Sequence, residues 1–390
     1  MIEHLPTDYR RAVFLGRLQT PDGPSPVLVR DGRVQDVSRV APTTSELLER
    51  DDLLEIAGPD LGALEDLNLS AAWSGEAAGP YKLLSPLDLQ CVKASGVTFA
   101  VSALERVIEE RARGDAARAQ TIRETLLSGG AVDLKSVKPG SPEAAKLKQA
   151  LIAENLWSQY LEVAIGPDAE IFTKSPVLST VGWGDWVGVR TDSAWNNPEP
   201  EVVLACTRSG QVKGAALGND VNLRDIEGRS ALLLGKAKDN NASCAVGPFI
   251  RLFDDDFGLD DVRQAVVKLE IDGEEGFRLT GQSSMSLISR DPLELVRQTI
   301  GDNHQYPDGF ALFLGTMFAP IEDRAEPGQG FTHKRGDVVR ISSERLGVLE
   351  NRVVTCAEAP RWGFGIGDLM RNLAGRGLLQ PQAERVRASA

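Results

Sequence analysis

The sequence predicts an α+β fold whose larger part is mainly β, and two observations support this prediction. After Phe172 the chain is a series of short apolar runs separated by turns rich in glycine and proline. Before Phe172, apolar residues recur at spacings of three and four in two stretches, the pattern of amphipathic helices. Helices grouped ahead of a run of strands are typical of α+β proteins, whereas a doubly wound parallel sheet would alternate the two elements.

The first 90 residues are predicted to form a separate small α/β domain, and residues 91–390 the catalytic domain. Two apolar runs near the N-terminus, VFLGRL and PVLVRDGRV, are cut by Asp-Gly pairs at 22–23 and 31–32. Asp-Gly between apolar runs is a strong signal for a hairpin turn. We therefore expect short paired strands in this region.

Two helical segments are predicted between the N-terminal strands and the β-rich part. From Phe99 to about Leu127, apolar residues follow a helical spacing with charged residues between them. Residues 128–145 contain a Gly-Gly pair at 129–130 and two prolines, and are predicted to be a loop. Residues 146–164 are predicted to be helical again.

The composition excludes several classes of protein. The net charge is −13, and no basic stripe that would bind nucleic acid is visible. The four cysteines are far apart, so a metal or redox site built from cysteine alone is not expected. The sequence has neither a long apolar run nor the apolar segment of a signal peptide. We therefore expect a cytoplasmic protein with reduced thiols that binds neither membranes nor nucleic acid.

A group of acidic residues at the start of a predicted strand gives the strongest local chemical signal. Glu199 and Glu201 flank Pro200 and project to the same face of an extended chain. Because Pro200 cannot donate to a strand ladder, this point is either a sheet edge or an irregular strand start. A third carboxylate follows at Asp220 in a turn-like Gly-Asn-Asp segment. Three such oxygen ligands suit Mg²⁺, Mn²⁺ or Ca²⁺; the alternative, from spacing alone, is a solvent-facing strand edge.

A series of short motifs runs in unbroken order through residues 85–357. The motifs are FTK at 172–174, PEPEVVL at 198–204, GNDVNLRD at 218–225, GKAKDNNASCAVGPF at 235–249, SMSLIS at 284–289, LGT at 314–316, GDV at 336–338 and GVLEN at 347–351. In this order they resemble the fumarylacetoacetate hydrolase superfamily. The resemblance implies a mixed β-roll that binds one divalent metal ion.

The resemblance also implies roles for individual residues. The metal ligands would be Glu199, Glu201 and Asp220, with Mg²⁺ the expected ion. Lys238 falls at the position of the superfamily's active-site lysine. The matching motifs also contain the candidate substrate-binding residues Lys174, Arg224, Asn241 and Thr316. Because most members pair through their β-roll domains, a homodimer or homotetramer is expected.

One departure from the superfamily's pattern bears on the reaction. Its hydrolases carry a His-x-x-Glu pair on a lid helix, which activates a water molecule. Here the histidine position is Ser102, while Glu105 remains, and a serine of ordinary pKa is a poor general base. In this respect the chain resembles the superfamily's 2-keto-3-deoxypentonate dehydratases. That branch implies that Glu170 joins the site and that Ser102 lies among the substrate-binding residues.

The reaction implied by this resemblance is loss of water from 2-keto-3-deoxy-D-xylonate, which gives 2,5-dioxopentanoate. It requires an enolate stabilised by the metal and proton-transfer groups, for which Lys238, Glu170 and Glu105 are candidates. The alternatives are an acylpyruvate-type carbon–carbon hydrolase, an oxaloacetate-type decarboxylase of the same superfamily, and a binding protein without turnover. Hydrolysis would require His304 or His333 to reach the site from another segment.

Overall fold

Strands make up most of the regular structure in the computed structural model of this chain. The structure describes residues 1–75, 79–113, 115–128, 137–153, 157–318, 320, 322–324 and 330–379. Its strands are, in chain order, β1 (Val13–Thr20), β2 (Gly23–Arg30), β3 (Arg33–Asp36), β4 (Asp60–Ala63), β5 (Lys82–Leu84), β6 (Cys91–Gly96), β7 (Glu170–Ser175), β8 (Trp186–Val189), β9 (Asn196–Asn197), β10 (Pro200–Cys206), β11 (Val212–Asp220), β12 (Asn222–Leu223), β13 (Cys244–Leu252), β14 (Val266–Asp272), β15 (Arg278–Ser284), β16 (Phe310–Phe313), β17 (Val338–Ser343) and β18 (Gly347–Thr355).

The helices of the described residues are fewer than the strands, and the longest of them lie between β6 and β7. They are α1 (Thr44–Leu48), α2 (Ala100–Ala112), α3 (Ala116–Ser128), α4 (Pro142–Ala153), α5 (Gln159–Ile165), α6 (Arg224–Glu227), α7 (Leu234–Lys238), α8 (Leu259–Gln264), α9 (Pro292–Thr299) and α10 (Ile366–Gly375). Among the described residues, none of these helices has the length and apolar character needed to cross a bilayer.

Two mixed sheets form the framework. The larger has 11 strands in the order β4-β3-β2-β1-β13-β11-β10-β16-β6-β7, with β5 also paired to β1. The smaller has the order β15-β14-β17-β18-β8. Most neighbours are antiparallel, and β16–β6 and β18–β8 are parallel pairs. Large mixed sheets with helices segregated in the chain confirm the predicted α+β fold class.

The N-terminal strands form the predicted hairpins. β2 and β3 are joined by Asp31 and Gly32, whose φ angles of 47° and 73° give the twist that a two-residue hairpin loop requires. β1 and β2 are joined one residue earlier than predicted, by the pair at 21–22. β1 also pairs with β13, so these strands continue the large sheet. The boundary of a separate domain near residue 90 stays a prediction.

The first predicted helical segment is divided into two helices. α2 ends at Arg113, whose φ of 56° is left-handed and stops the helical ladder. The apolar spacing continues across this break because Ile108 and Ala112 of α2 belong to the same buried apolar cluster as Ala119 of α3 and Trp195. The second predicted segment is also divided, into α4 and α5. The Gly-Gly pair at 129–130 lies outside the described residues.

Strand β10 lies at the centre of the large sheet, between β11 and β16. Val202 and Leu204 face the core shared with the smaller sheet, whereas Val203 and Ala205 face the core under α1. This alternation is the period of two that a strand imposes. It places Glu201 on the same face as Val203, at the start of a strand that is buried on both faces.

Candidate metal centre and active site

Three buried carboxylates meet at one end of the β10–β11 strand pair. Glu199 and Glu201 flank Pro200, the first residue of β10, and Asp220 is the last residue of β11. One oxygen from each of the three carboxylates lies within 4.8 Å of the others. Each residue is at most 3% exposed, which excludes the alternative of a solvent-facing edge. Pro200 marks the start of a central strand.

Burial and mutual repulsion shift the pKa values of these carboxylates. Burial, followed by the charges of Asp220 and Glu199, raises the pKa of Glu201 well above its ordinary value, against the opposing charge of Lys238. Burial would likewise raise the pKa of Asp220, but Lys174 and Lys238 outweigh burial and lower that pKa. Two lysines therefore neutralise Asp220, while Glu201 lacks a comparable partner.

The two lysines contact this group from different sides. Lys238, at the end of α7, donates to Glu199 and, at 3.0 Å, to Asp220 Oδ2. Burial would lower the pKa of Lys238, but Asp220 and Glu199 outweigh burial and raise it. Lys174 is fully buried, with its Nζ 2.8 Å from Asp220 Oδ1, and it donates to the carbonyl of Lys238 at 2.5 Å. Lys174 thus supports both a carboxylate and the segment that carries Lys238.

A small cavity lies beside the carboxylates. Its walls are formed by Ser95, Gly96, Val97, Arg106, Glu170, Phe172, Glu199, Glu201, Asp220, Glu227, Lys238 and Thr316. Its volume of about 10 Å³ has room for the centre of one water molecule. A ligand larger than water therefore requires the walls to move, and their helical parts are α2 with Arg106, α6 with Glu227 and α7 with Lys238.

Glu170 enters the cavity because the opposite strand has no side chain there. Glu170 is the first residue of β7 and pairs with Gly96 of β6. A Cβ atom at position 96 would lie 1.9 Å from Glu170 Oε2, so glycine leaves the space that this carboxyl occupies. Burial raises the pKa of Glu170, while Arg106 and Lys238 oppose this rise. The structure thus brings Glu170 and Lys238 to one cavity.

An arginine on α2 joins three carboxylates and was missed by the sequence reasoning. Arg106 Nη1 lies 2.7 Å from an oxygen of Glu109 and 2.7 Å from Glu227 Oε2, and its Nη2 donates to Glu199 Oε1 at 2.6 Å. Glu109 also accepts from Arg224 Nε at 2.7 Å. The spacing of Arg106 and Glu109 is that of neighbours on a helix, which signals a local pair. Nothing in that spacing signals Glu199 or Glu227.

Glu227 is the second cavity residue that the sequence reasoning missed. It is the last residue of α6, seven positions after Asp220, and it is 3% exposed. Burial raises its pKa to about 7, although the charge of Arg106 opposes the rise. Its sequence signal was its position two residues after the GNDVNLRD motif.

Of two further predicted residues, Thr316 belongs to the cavity wall and Arg224 lies next to it. Arg224 donates to the carbonyl of Pro320 at 3.0 Å and stacks 5.1 Å from the ring of Trp195. Its Nη2 lies 3.6 Å from Glu105 Oε2. Thr316 lines the cavity and donates to the carbonyl of Phe318 at 3.1 Å. The roles predicted for Arg224, Glu105 and Thr316 stay predictions.

Asn241 lies outside the acidic cavity. Its amide donates to the carbonyls of Cys356 and Pro360 at 3.1 Å, and it lines a separate cavity of about 420 Å³. The loop turns away from the carboxylates after Lys238, which places Asn241 against the C-terminal segment. The side chain of Ser102 lies outside the described residues, although its backbone belongs to α2.

No histidine is among the described residues that line the cavity. His333 is buried with its Nδ1 3.1 Å from Asp337 Oδ2, and His304 packs edge-on against Tyr306 at 4.7 Å. His4 packs against the ring of Trp183 at 4.9 Å. The two histidines that could have restored water activation therefore lie in other contacts.

The donors at this site fit a divalent cation. Five carboxylates and two cationic side chains line the cavity: Glu170, Glu199, Glu201, Asp220 and Glu227 against Arg106 and Lys238. If all are ionised, negative charge is in excess. The three grouped carboxylate oxygens are the hard ligands that Mg²⁺, Mn²⁺ and Ca²⁺ prefer. A bound divalent cation would reduce the repulsion that raises the pKa of Glu201.

Comparisons with known proteins agree with the motifs. Residues 207–354 match the family described as fumarylacetoacetate (FAA) hydrolase C-terminal. The matched segment runs from the turn before β11 into β18 and contains Asp220 and Lys238. The resemblance of the motifs to this superfamily is therefore confirmed.

Two curated relatives and one solved structure bear on the dehydratase branch. The chain is 28% identical over 268 residues to a probable 2-keto-3-deoxyxylonate dehydratase of Haloferax volcanii, covering 63% of this chain and 89% of the relative. It is 29% identical over 225 residues to a 2-dehydro-3-deoxy-D-arabinonate dehydratase of Saccharolobus solfataricus, and the match covers 57% of this chain and 68% of the relative. A structure of a 2-keto-3-deoxy-D-arabinonate dehydratase complexed with magnesium and 2,5-dioxopentanoate superposes with a TM-score of 0.62 at 21% sequence identity. The superposition covers 88% of this chain and 98% of the other chain, so the two share the same fold.

Proposed function

We propose that this chain, with its fumarylacetoacetate hydrolase domain, is a hydro-lyase that converts 2-keto-3-deoxy-D-xylonate into 2,5-dioxopentanoate. The observation that supports it is a buried group of three carboxylates beside a cavity that holds Glu170 and Lys238 but, among the described residues, no histidine. Both curated relatives are named as dehydratases of 2-keto-3-deoxy pentonates. Because the superfamily's hydrolases activate water with a histidine of a His-x-x-Glu pair, a cavity without a histidine among its described lining residues favours dehydration.

We assign Glu199, Glu201 and Asp220 as ligands of one Mg²⁺ ion. A divalent cation in this position supplies a Lewis acid that polarises the keto oxygen of a 2-keto acid. The protein's own part is to hold the three carboxylates within reach of one another, which β10 and β11 do through their antiparallel pairing. Lys174 fixes Asp220 from behind, and Gly315 donates its backbone N–H to Glu201 at 2.7 Å.

The proton chemistry is assigned to the remaining cavity residues. Glu170 removes the proton at C3 and later returns one to that carbon. Lys238 stays an ammonium, since two carboxylates hold its proton, and it stabilises negative charge that develops on the substrate oxygens. Glu105, next to Arg224, is the third candidate and lies further from the carboxylate group. Thr316, Lys174, Arg224, Asn241 and Ser102 stay candidate substrate-binding residues.

A carbon–carbon hydrolase or a decarboxylase of the same superfamily is the less favoured alternative. Both would share the metal centre, so the metal ligands do not discriminate between them. The products do: hydrolysis releases two acid fragments, decarboxylation releases CO₂, and dehydration releases water and leaves an aldehyde.

The test is product analysis with a panel of 2-keto acids in the presence of Mg²⁺. With 2-keto-3-deoxy-D-xylonate we expect a product lighter by one water, which an aldehyde dehydrogenase then oxidises with formation of NAD(P)H. The Glu201→Gln protein is the matched control and should form none. Appearance of pyruvate and glycolaldehyde, or faster cleavage of acylpyruvates, would contradict the proposal.

We further propose a homodimer or homotetramer, which rests on the superfamily resemblance. The cytoplasmic location that the sequence led us to expect is also part of the proposal. Light scattering should give a multiple of the chain mass of 42.1 kDa. A mass equal to one chain at the concentration of the activity assay would rule the oligomer out. The proposed partner is a small 2-keto-3-deoxy sugar acid, with neither nucleic acid nor membrane involved.

A further inference from the structure

We propose that Glu227 donates the proton that the leaving C4 hydroxyl needs, and that Arg106 is the positioning residue that holds Glu227 beside the metal centre. This inference rests on the proposed dehydratase function. Loss of hydroxide from carbon is slow without an acid, so the reaction requires a proton donor in addition to the base at C3. The proton-transfer candidates from the sequence motifs, Lys238, Glu170 and Glu105, include none assigned specifically to the C4 hydroxyl.

The position of Glu227 suits it to this role. Its carboxyl forms part of the cavity wall, together with Glu170 and Lys238, and it is 3% exposed. In the described part of the chain no backbone N–H donates to it, whereas Glu201 accepts one from Gly315. The carboxyl of Glu227 is therefore held by a side chain alone and can exchange a proton without breaking a backbone contact.

The other polar groups of the cavity are already committed. The three metal ligands must be ionised to bind a cation. Glu170 is assigned to the proton at C3, and the ammonium of Lys238 is bound between Glu199 and Asp220. A guanidinium such as that of Arg106 does not release its proton in the physiological range. Of the carboxyl groups in the wall, Glu227 therefore remains for the hydroxyl.

Arg106 couples this acid to the metal centre. Its two terminal nitrogens bind Glu227 and Glu199, at 2.7 Å and 2.6 Å, so one planar group fixes the distance between the acid and a ligand. The charged and titratable groups that act on Glu227 are Arg106, Lys238, Glu199, Glu109 and Tyr160. Their combined effect with burial leaves the pKa of Glu227 at about 7, which suits an acid working near neutrality.

The step balances as an elimination of water. Glu170 takes the C3 proton, and the electrons of that C–H bond form the C3–C4 double bond. The C4–O bond breaks, its electron pair stays with oxygen, and the proton of Glu227 converts the leaving group to water. Glu227 ends as a carboxylate and Glu170 as an acid. When the enone rearranges to the aldehyde, Glu170 returns its proton to C3, and the proton lost from C5 reprotonates Glu227 through solvent, which restores the resting state.

The test uses a substrate that needs no acid. In the 4-fluoro analogue of the substrate, fluoride leaves without protonation. The isosteric variant Glu227→Gln should slow dehydration of the hydroxy substrate about 100- to 1000-fold, within the range for loss of a general acid. Release of fluoride from the analogue should stay within about threefold of wild type. Exchange of the C3 proton with D₂O, followed by NMR, should also persist.

Two variants complete the test. Glu109→Gln removes a carboxylate from the same guanidinium outside the cavity wall, and it should leave the ratio of the hydroxy and fluoro rates unchanged. Arg106→Lys cannot bind Glu199 and Glu227 together, and it should lower that ratio by about tenfold while proton exchange at C3 continues. If Glu227→Gln does not fold, Glu227→Asp takes its place, with a smaller loss confined to the hydroxy substrate.

The outcomes separate the two proposals. If wild type does not dehydrate the hydroxy substrate, the proposed function fails, and this inference fails with it. If wild type dehydrates it and Glu227→Gln slows both substrates equally, or slows neither, the dehydratase function stands and Glu227 is not the acid.

Discussion

Two buried charge networks in this protein are built in opposite ways. One surrounds the carboxylates of Glu199, Glu201 and Asp220. The other lies next to the smaller sheet, where Arg324 binds both oxygens of Asp337 and both side chains are 0% exposed. Asp337 also accepts from the backbone of Lys334 at 2.9 Å.

In the second network both carboxylate oxygens of Asp337 have donors. His333 approaches Asp337 at 3.1 Å, and the guanidinium of Arg324 lies 4.5 Å from the ring of Phe277. Burial would raise the pKa of Asp337, but Arg324 and His333 outweigh burial and hold it at about 2. At the first network the pKa shift is in the opposite direction, because burial and two neighbouring carboxylates raise the pKa of Glu201. A buried carboxylate with a cationic partner stabilises the fold, whereas a group in which carboxylates outnumber cations is suited to bind a further cation.

The largest expected effect is the loss of metal at the first network. Glu201→Gln replaces a charged ligand oxygen with a neutral amide of the same shape. Loss of outer partners of a metal ligand alone costs about 10- to 100-fold in affinity, so loss of a ligand should exceed about 100-fold. Calorimetric titration with Mg²⁺ measures this directly. A wild-type titration curve from this variant would remove Glu201 from the ligand set.

The same change at the second network should affect stability and leave metal binding intact. Asp337→Asn removes the buried counter-charge of Arg324 and leaves only the more exposed Glu275, whose Oε1 lies 3.0 Å from Arg324 Nη2. Breaking a buried pair costs up to about 3–5 kcal/mol. Urea unfolding at neutral pH should show this loss, while Mg²⁺ affinity of the folded fraction stays within about threefold. A large loss of Mg²⁺ affinity would show that the two networks are not independent.

The pH dependence sharpens the difference between the networks. The pKa of Asp337 falls from 3.8 to about 2 on folding, so its stabilising contribution is complete above about pH 4 and is lost as pH falls to about 2. The shift corresponds to about 2 kcal/mol. The difference in unfolding free energy between wild type and Asp337→Asn should therefore shrink between pH 5 and pH 2.5. A difference that stays constant across this window would exclude a depressed pKa.

The smallest expected effect tests how the first network holds its proton-transfer group. Gly96→Ala would place a Cβ 1.9 Å from Glu170 Oε2 and displace that flexible carboxyl. Because the backbone need not move, stability should change little, while turnover should fall by about tenfold or more with unchanged Mg²⁺ affinity. Ser95→Ala, at the neighbouring wall position, is the matched control. Equal turnover in wild type and Gly96→Ala would show that Glu170 is not needed where the structure places it.

Local sequence determined the strands and the grouping of three carboxylates at one end of β10 and β11. The hairpin at Asp31-Gly32 follows from turn chemistry, and the shared face of Glu199 and Glu201 follows from the period of two in a strand. Asp220 joins them because β10 and β11 are consecutive antiparallel strands, and its backbone N–H donates to the carbonyl of Glu199, 21 positions earlier in the chain. The grouping of helical and strand patterns indicated the fold class, and the motif order indicated the superfamily.

Tertiary structure alone decided which other side chains reach the cavity. Arg106 contacts Glu199 across 93 residues of sequence, and Glu227 meets Arg106 only because α2 packs near α6. The spacing that suggested one helix over residues 99–127 did not show the break at Arg113, because apolar residues of both helices belong to the same buried cluster as Trp195. Likewise, the motif that contains Lys238 did not show that Asn241 faces another cavity. Local propensity sets the period of an element, but packing between distant segments sets where its side chains point.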